Sequence, residues 1–224
     1  MADAFSSPKV TVEYFSTSMP KTTERNFEDD VEAMLGAAGW RTFGSFAESQ
    51  ADYDRKLALK VDSLVSFVRQ TQPDEWGKIE GLYGSHTRER FLKRLCDELE
   101  PHDDRGGVLN VLRHGIHMAP GAQFRLCFFR PATDKNPDAW ERYRANRFEV
   151  VRQLRYGTMP DDKDNSVDVV LFVNGIPVVT MELKNNLTGQ RTEHAVKQYK
   201  CDRSPKELLF KANRRAIVHF ALDS

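Results

Sequence analysis

The chain has 224 residues, enough for one large domain or two small ones with a substantial core. Its 40% hydrophobic and 29% charged residues describe an ordinary globular protein, and no run approaches the roughly 18 apolar residues that a membrane-spanning helix needs. Lysine plus arginine balance aspartate plus glutamate at 33 each, so net charge gives nucleic acid no general attraction and any such contact must be local.

Met1-Ala-Asp-Ala-Phe-Ser-Ser has neither a basic start nor an apolar run, so no secretory leader and a cytoplasmic location are expected. Cys96, Cys127 and Cys201 lie far apart without a CxxC pair, which points to a reducing compartment and argues against a cysteine-based zinc site. Residues 1–22 are polar and expected to be loosely ordered. Residues 24–38 read as a helix, with Phe27, Val31, Met34, Leu35 and Ala38 at helical spacing and Gly39 as a stop. A second helix is expected over 54–70, with Leu57, Val61, Leu64 and Val68 on one face. A third is expected over 86–99, carrying Phe91, Leu92, Leu95 and Leu99. Asp103 to Gly107 is a loop.

The character changes near residue 110, dividing a mainly helical part (23–110) from a strand-rich part (111–224). Phe124–Phe129 reads as a strand ended by Pro131, Pro137–Tyr143 as a short helix, and Arg147–Tyr156 as a strand with polar residues on one face. After a polar loop come two nearly continuous apolar runs, Val167–Val173 and Ile176–Lys184, joined by Asn174-Gly175. Asn-Gly between β-branched runs is the strongest short hairpin signal a sequence carries. Arg191–Cys201 reads as a helix and Ala216–Ala221 as a final strand. The whole implies an α/β (α+β) fold: a small mixed sheet covered by helices.

Asp168 and Glu182 interrupt these two apolar strands, where a carboxylate is costly unless a cation or hydrogen bonds compensate it. A hairpin about Asn174-Gly175 pairs Val173 with Ile176 and Asp168 with Met181, bringing Asp168 and Glu182 within a residue of one another. Two such carboxylates favour a divalent cation between them, and hard oxygen ligands suit Mg²⁺. Lys184, two residues past Glu182, shares its face and can stabilise charge on a phosphate. Two carboxylates and a lysine around one cation make a site for phosphodiester hydrolysis. Isolated strand-end charges are more often simply solvated.

Local positive charge surrounds this centre. Arg147, Arg152 and Arg155 lie on the preceding strand, and Arg191, Lys197, Lys200 and Arg203 in or beyond the following helix. All are candidates for backbone phosphates, and for the lysines a solvated helix face is an equal account. Gln190, Gln198 and Tyr199 are candidates to hold the scissile phosphate, although Tyr199 can equally pack the helix onto the sheet. Glu24, Glu28 and Glu32 share one helix face, from which one can approach the metal or all can face water. His114 and His117 have no evident third ligand. There is no P-loop and no GxGxxG, so ATP is not expected to bind here.

Asp168…Glu182-Leu-Lys184 resembles the PD-(D/E)xK nuclease motif. The wider text narrows the resemblance. Asn146–Tyr156, Ser166–Asn185, Leu187-Thr-Gly-Gln190 and Gln198–Arg203 together resemble the N-terminal region of the restriction (R) subunit of type I restriction–modification enzymes. The likeness is dense from Leu112 to Asp223 and thinner before it. It implies a restriction-endonuclease-like core in which Asp168 and Glu182 ligate Mg²⁺ and Lys184 is the catalytic lysine. It also implies DNA as substrate, and modification and specificity subunits as partners. An ATP-driven translocase would follow this piece in the whole subunit, so the piece alone is expected to bind Mg²⁺ weakly and cut poorly.

Two features depart from the motif. Val167 stands where its proline would be. Tyr199 has Ala195, not glutamine, four residues earlier, which leaves Gln198 and Gln190 as equal candidates. A docking module that does not cut by itself, and a different PD-(D/E)xK nuclease such as a repair exonuclease, are the competing readings.

Overall fold

The computed structural model describes residues 24–101, 106–158, 165–184, 204 and 206–223. In chain order it begins with α1 (Glu24–Ala37), α2 (Phe46–Gln50), β1 (Tyr53–Asp54), β2 (Leu59–Lys60), α3 (Val61–Thr71), α4 (Pro73–Tyr83), α5 (Thr87–Leu99) and α6 (Val108–His114). It continues with β3 (Ile116–Met118), β4 (Ala122–Phe124), α7 (Pro137–Arg144), β5 (Phe148–Arg155), β6 (Ser166–Val173), β7 (Ile176–Lys184) and β8 (Val218–Asp223). The main sheet has the order β5-β6-β7-β8. Its first three strands are antiparallel, and β8 runs parallel to β7. This is the mixed, helix-covered α+β sheet expected from the sequence.

One core lies among α3 to α6 and the β3–β4 hairpin, where Leu64, Phe67, Ile79, Phe91, Leu95, Leu99, Val111 and Phe124 are fully buried. Ile176, at the tip of the β6–β7 hairpin, belongs to the same cluster, so the helical part and the sheet meet there. A second cluster packs Val151, Leu154, Val167, Val170 and Phe172 against Leu209 and Ala216. On the α1 side, Phe27, Val31 and Leu35 cover Val150, Val169, Leu171, Met181 and Leu183, which explains the four-residue apolar spacing of that helix.

Three expectations change. The helix foreseen from residue 54 begins at Val61. Asp54 Oδ1 accepts from the backbone N–H groups of Lys56 and Leu57 at 2.8 and 3.1 Å and holds a turn there. The strand foreseen over 124–129 ends at Phe124. Amide side chains satisfy the backbone beyond it: Gln72 bonds both the N–H and the C=O of Arg125, and Asn146 both those of Phe128. The last strand starts at Val218 rather than Ala216.

The Asn174-Gly175 turn forms as expected, with φ of 51° and 83° at its two residues. Asn174 is fully buried. Its Oδ1 accepts from Arg147 N–H at 2.7 Å, and its Nδ2 donates to Leu126 C=O and Asn146 Oδ1, each at 2.9 Å. A Cβ on Gly175 would lie 2.4 Å from the Lys60 carbonyl oxygen, in backbone that also requires positive φ. Gly175→Ala is therefore expected to cost about 1–3 kcal/mol of stability by denaturant unfolding. A loss below a few tenths of a kcal/mol would show that the turn does not press on the start of α3. Nearby, the buried Lys60 ammonium stands 3.3 Å from Glu149 Oε1, 3.5 Å from Asp52 Oδ1 and 4.4 Å from the Phe43 ring centre, tying β2 to β5.

Candidate active site

The β6–β7 ladder begins as the turn dictates, with Val173 opposite Ile176 and Phe172 opposite Pro177. The register then slips by one residue, so Leu171 faces Val179 and Val169 faces Met181. Val178 is the extra residue of this bulge. The expected pairing of Asp168 with Met181 is thereby corrected: one further step of the observed register sets Asp168 opposite Glu182. Directly opposed strand residues have Cα atoms about 4.5–5.5 Å apart.

Asp168 is half-buried, Glu182 is 1% exposed and Lys184 is 7% exposed, so two carboxylates and an ammonium gather at the buried end of two apolar strands. Glu182 and Lys184 point to the same face of β7. Asp168 Oδ2 accepts from Leu183 N–H at 2.7 Å, which fixes the carboxylate toward β7. Its Oδ1 accepts from Gln153 Nε2 at 3.1 Å, and the same nitrogen donates to Glu28 Oε1 at 2.9 Å. Glu28, on the α1 face, is thus joined to the site through Gln153. Glu32 instead meets Arg152.

Burial pushes the Glu28 carboxyl above its ordinary value against the hydrogen bond from Arg152, and the charge of Asp168 adds to the rise. Arg152 is itself 7% exposed and donates to Glu28, Asp29 and Glu32 at 3.0, 2.5 and 2.8 Å. Burial pulls its pKa down, but the hydrogen bonds to Glu32, Asp29 and Glu28 prevail and hold the guanidinium charged. Arg147 donates to Ser63 C=O, Ser66 Oγ and Gln70 Oε1, tying β5 to α3. Both arginines, read from sequence as phosphate contacts, therefore have intramolecular partners. Arg155 is exposed and lines a hollow of about 570 Å³ with Phe46, Gln50, Gln153 and Ser166. Gln190, Arg191, Lys197, Gln198, Tyr199, Lys200 and Arg203 lie outside the described residues.

Among the described residues, no three His, Cys, Asp or Glu side chains form a cluster suited to a metal ion. The Asp168–Glu182 pair still fits a cation such as Mg²⁺, which is commonly held by one or two carboxylates while keeping several waters. Burial pushes the thiols of Cys96 and Cys127 up, the latter to about 11, so neither is an appreciable thiolate near neutral pH. Sequence reasoning missed Gln153. Its signal was the adjacent polar pair Arg152-Gln153 inside Val-Val-Arg-Gln-Leu, which breaks the two-residue alternation of a regular strand.

A mixed sheet with opposed carboxylates and a lysine at one end of its central hairpin defines a candidate hydrolytic centre. The family model for the type I restriction enzyme R protein N terminus matches residues 21–222, and the chain belongs to that family. The search of curated proteins found no match.

Proposed function

We propose that this chain is the Mg²⁺-dependent nuclease module of a type I restriction R subunit, acting on DNA phosphodiesters. The observation that carries the reading is the Val178 bulge, which sets Asp168 opposite Glu182 with Lys184 one position along the same face. Asp168 and Glu182 would hold the cation. When bound, the cation neutralises phosphate charge and acidifies water in the site. The Leu183 N–H and the Gln153 amide keep the Asp168 carboxylate in one orientation. The Lys184 ammonium orients the attacking water or donates to a non-bridging phosphate oxygen, stabilising the charge that develops there. Glu182 and Lys184 are nearly buried, in surroundings where such interactions are stronger than in bulk water.

DNA would be delivered by the motor of the whole subunit, working with the modification and specificity subunits in the cytoplasm. Nothing in this reading requires ATP at this site, and the chain alone is expected to cut poorly. Among the described residues, no helix is long and apolar enough to cross a membrane.

Calorimetric titration of Mn²⁺ into the wild-type chain and Asp168→Ala tests the proposal. Binding by the wild type and its loss in the variant are expected. Equal binding by both would remove the metal from Asp168 and leave the chain as a docking module.

A further inference from the structure

We propose that Gln153 is a positioning residue that fixes the Asp168 carboxylate and couples it to α1, an inference that rests on the nuclease reading above. The β5–β6 ladder pairs Arg152 with Val169 and Leu154 with Val167 but omits Gln153, the residue that counts opposite Asp168. Gln153 has φ of 49°, a left-handed conformation that a residue with a long side chain rarely adopts. Such outliers persist only where the surroundings over-determine them, and here the surroundings are visible.

Gln50, the last residue of α2, clamps the outer side of this interruption. Its Nε2 donates to the carbonyls of Gln153 and Arg152 at 2.9 and 3.3 Å, and its Oε1 accepts from Arg155 N–H at 3.0 Å. The Gln153 side chain is then held at both ends. Ser166 Oγ donates to its Oε1 at 2.9 Å, and the carboxylate oxygens at the other end, which accept, set that end as the donor. Its Nε2 faces Asp168 Oδ1 and Glu28 Oε1 together. One neutral amide therefore separates two carboxylates that would otherwise repel, without contributing a charge of its own. Arginine or lysine in this place would compete with a cation for Asp168, whereas an amide orients the ligand and leaves the oxygen's second lone pair available. α1 thereby becomes part of the site's support through Glu28.

The test uses Mn²⁺ as the probe, read by calorimetry and by the Mn²⁺ paramagnetic resonance spectrum, on the wild type, Gln153→Met, Gln50→Ala and Asp168→Ala. Gln153→Met keeps the side-chain length and removes both donors. It is expected to weaken Mn²⁺ binding by roughly 10–100-fold, as loss of an outer partner of a metal ligand does, and to alter the spectrum. Thermal unfolding is followed in parallel to establish that each variant is folded. Gln50→Ala loosens only the backbone clamp and is expected to weaken binding in the same direction by less, so the inference is tested even if Gln153→Met does not fold. Wild-type affinity and spectrum in a folded Gln153→Met or in Gln50→Ala, with binding lost in Asp168→Ala, would overturn this inference alone. No binding by the wild type would overturn both it and the nuclease reading.

Discussion

Lys184→Ala, introduced into the complete R subunit assembled with its partners, is expected to cut plasmid DNA roughly 10²–10³-fold more slowly, the range for removal of one preorganised donor from a developing charge. Mn²⁺ binding by the same variant is expected to survive, because the ammonium is not a ligand. Asp168→Asn is expected to lose both. This split separates the roles of two residues at neighbouring strand ends, and a general loss of structure would not produce it. If Lys184→Ala lost metal binding and cleavage together, the lysine would be holding the sheet rather than serving the reaction. If it lost neither, the site would not be this one.

Arg152→Met is expected to destabilise the fold by about 3–5 kcal/mol, because it leaves the buried Glu28 carboxylate without its cation. Both side chains are nearly buried, at 7% and 6% exposure, so solvent screens the pair little. The effect has a direction in pH. Glu28 already has its pKa raised above 4.5 by burial, so it favours the folded state fully below that value and progressively less as pH rises through its raised folded value. Removing Arg152 takes away a neighbour that lowers the value, and the raised range widens. The stability deficit of Arg152→Met should therefore be larger at pH 8 than at pH 5, as measured by denaturant unfolding at the two values. A deficit that is equal at both, or larger at pH 5, would mean that Glu28 is not the group left uncompensated.

The hairpin was legible in the sequence because two local signals agreed. Asn174-Gly175 specifies the turn, and the β-branched runs on either side specify buried strands. The helices α1 and α5 were legible from apolar residues at helical spacing. α4 was not foreseen. Gly77 and Gly81 weaken its helical propensity, and Leu82 is exposed, which leaves only Trp76 and Ile79 as a buried stripe. The bulge at Val178 was invisible, since Pro-Val-Val-Thr reads equally well in either register and tertiary packing makes the choice. That one-residue slip moved Asp168 from opposite Met181 to opposite Glu182. Candidate residues that depend on chemistry alone, Asp168, Glu182 and Lys184, could be named from sequence. Gln153 could not, because its importance comes from a ladder interruption and from contacts made across more than a hundred residues to Gln50 and Glu28. Charge alone did not show the partners of Arg147 and Arg152, candidates for phosphate contacts, which the fold places on α3 and on α1.

The most direct measurement is a crystal of this chain soaked in Mn²⁺, with data collected to show the anomalous scattering of the metal. The account predicts a peak within coordination distance of carboxylate oxygens from both Asp168 and Glu182, with the Lys184 ammonium adjacent but outside the ligand set. A fully occupied peak elsewhere, or none at this pair in crystals whose site is open to solvent, would contradict it.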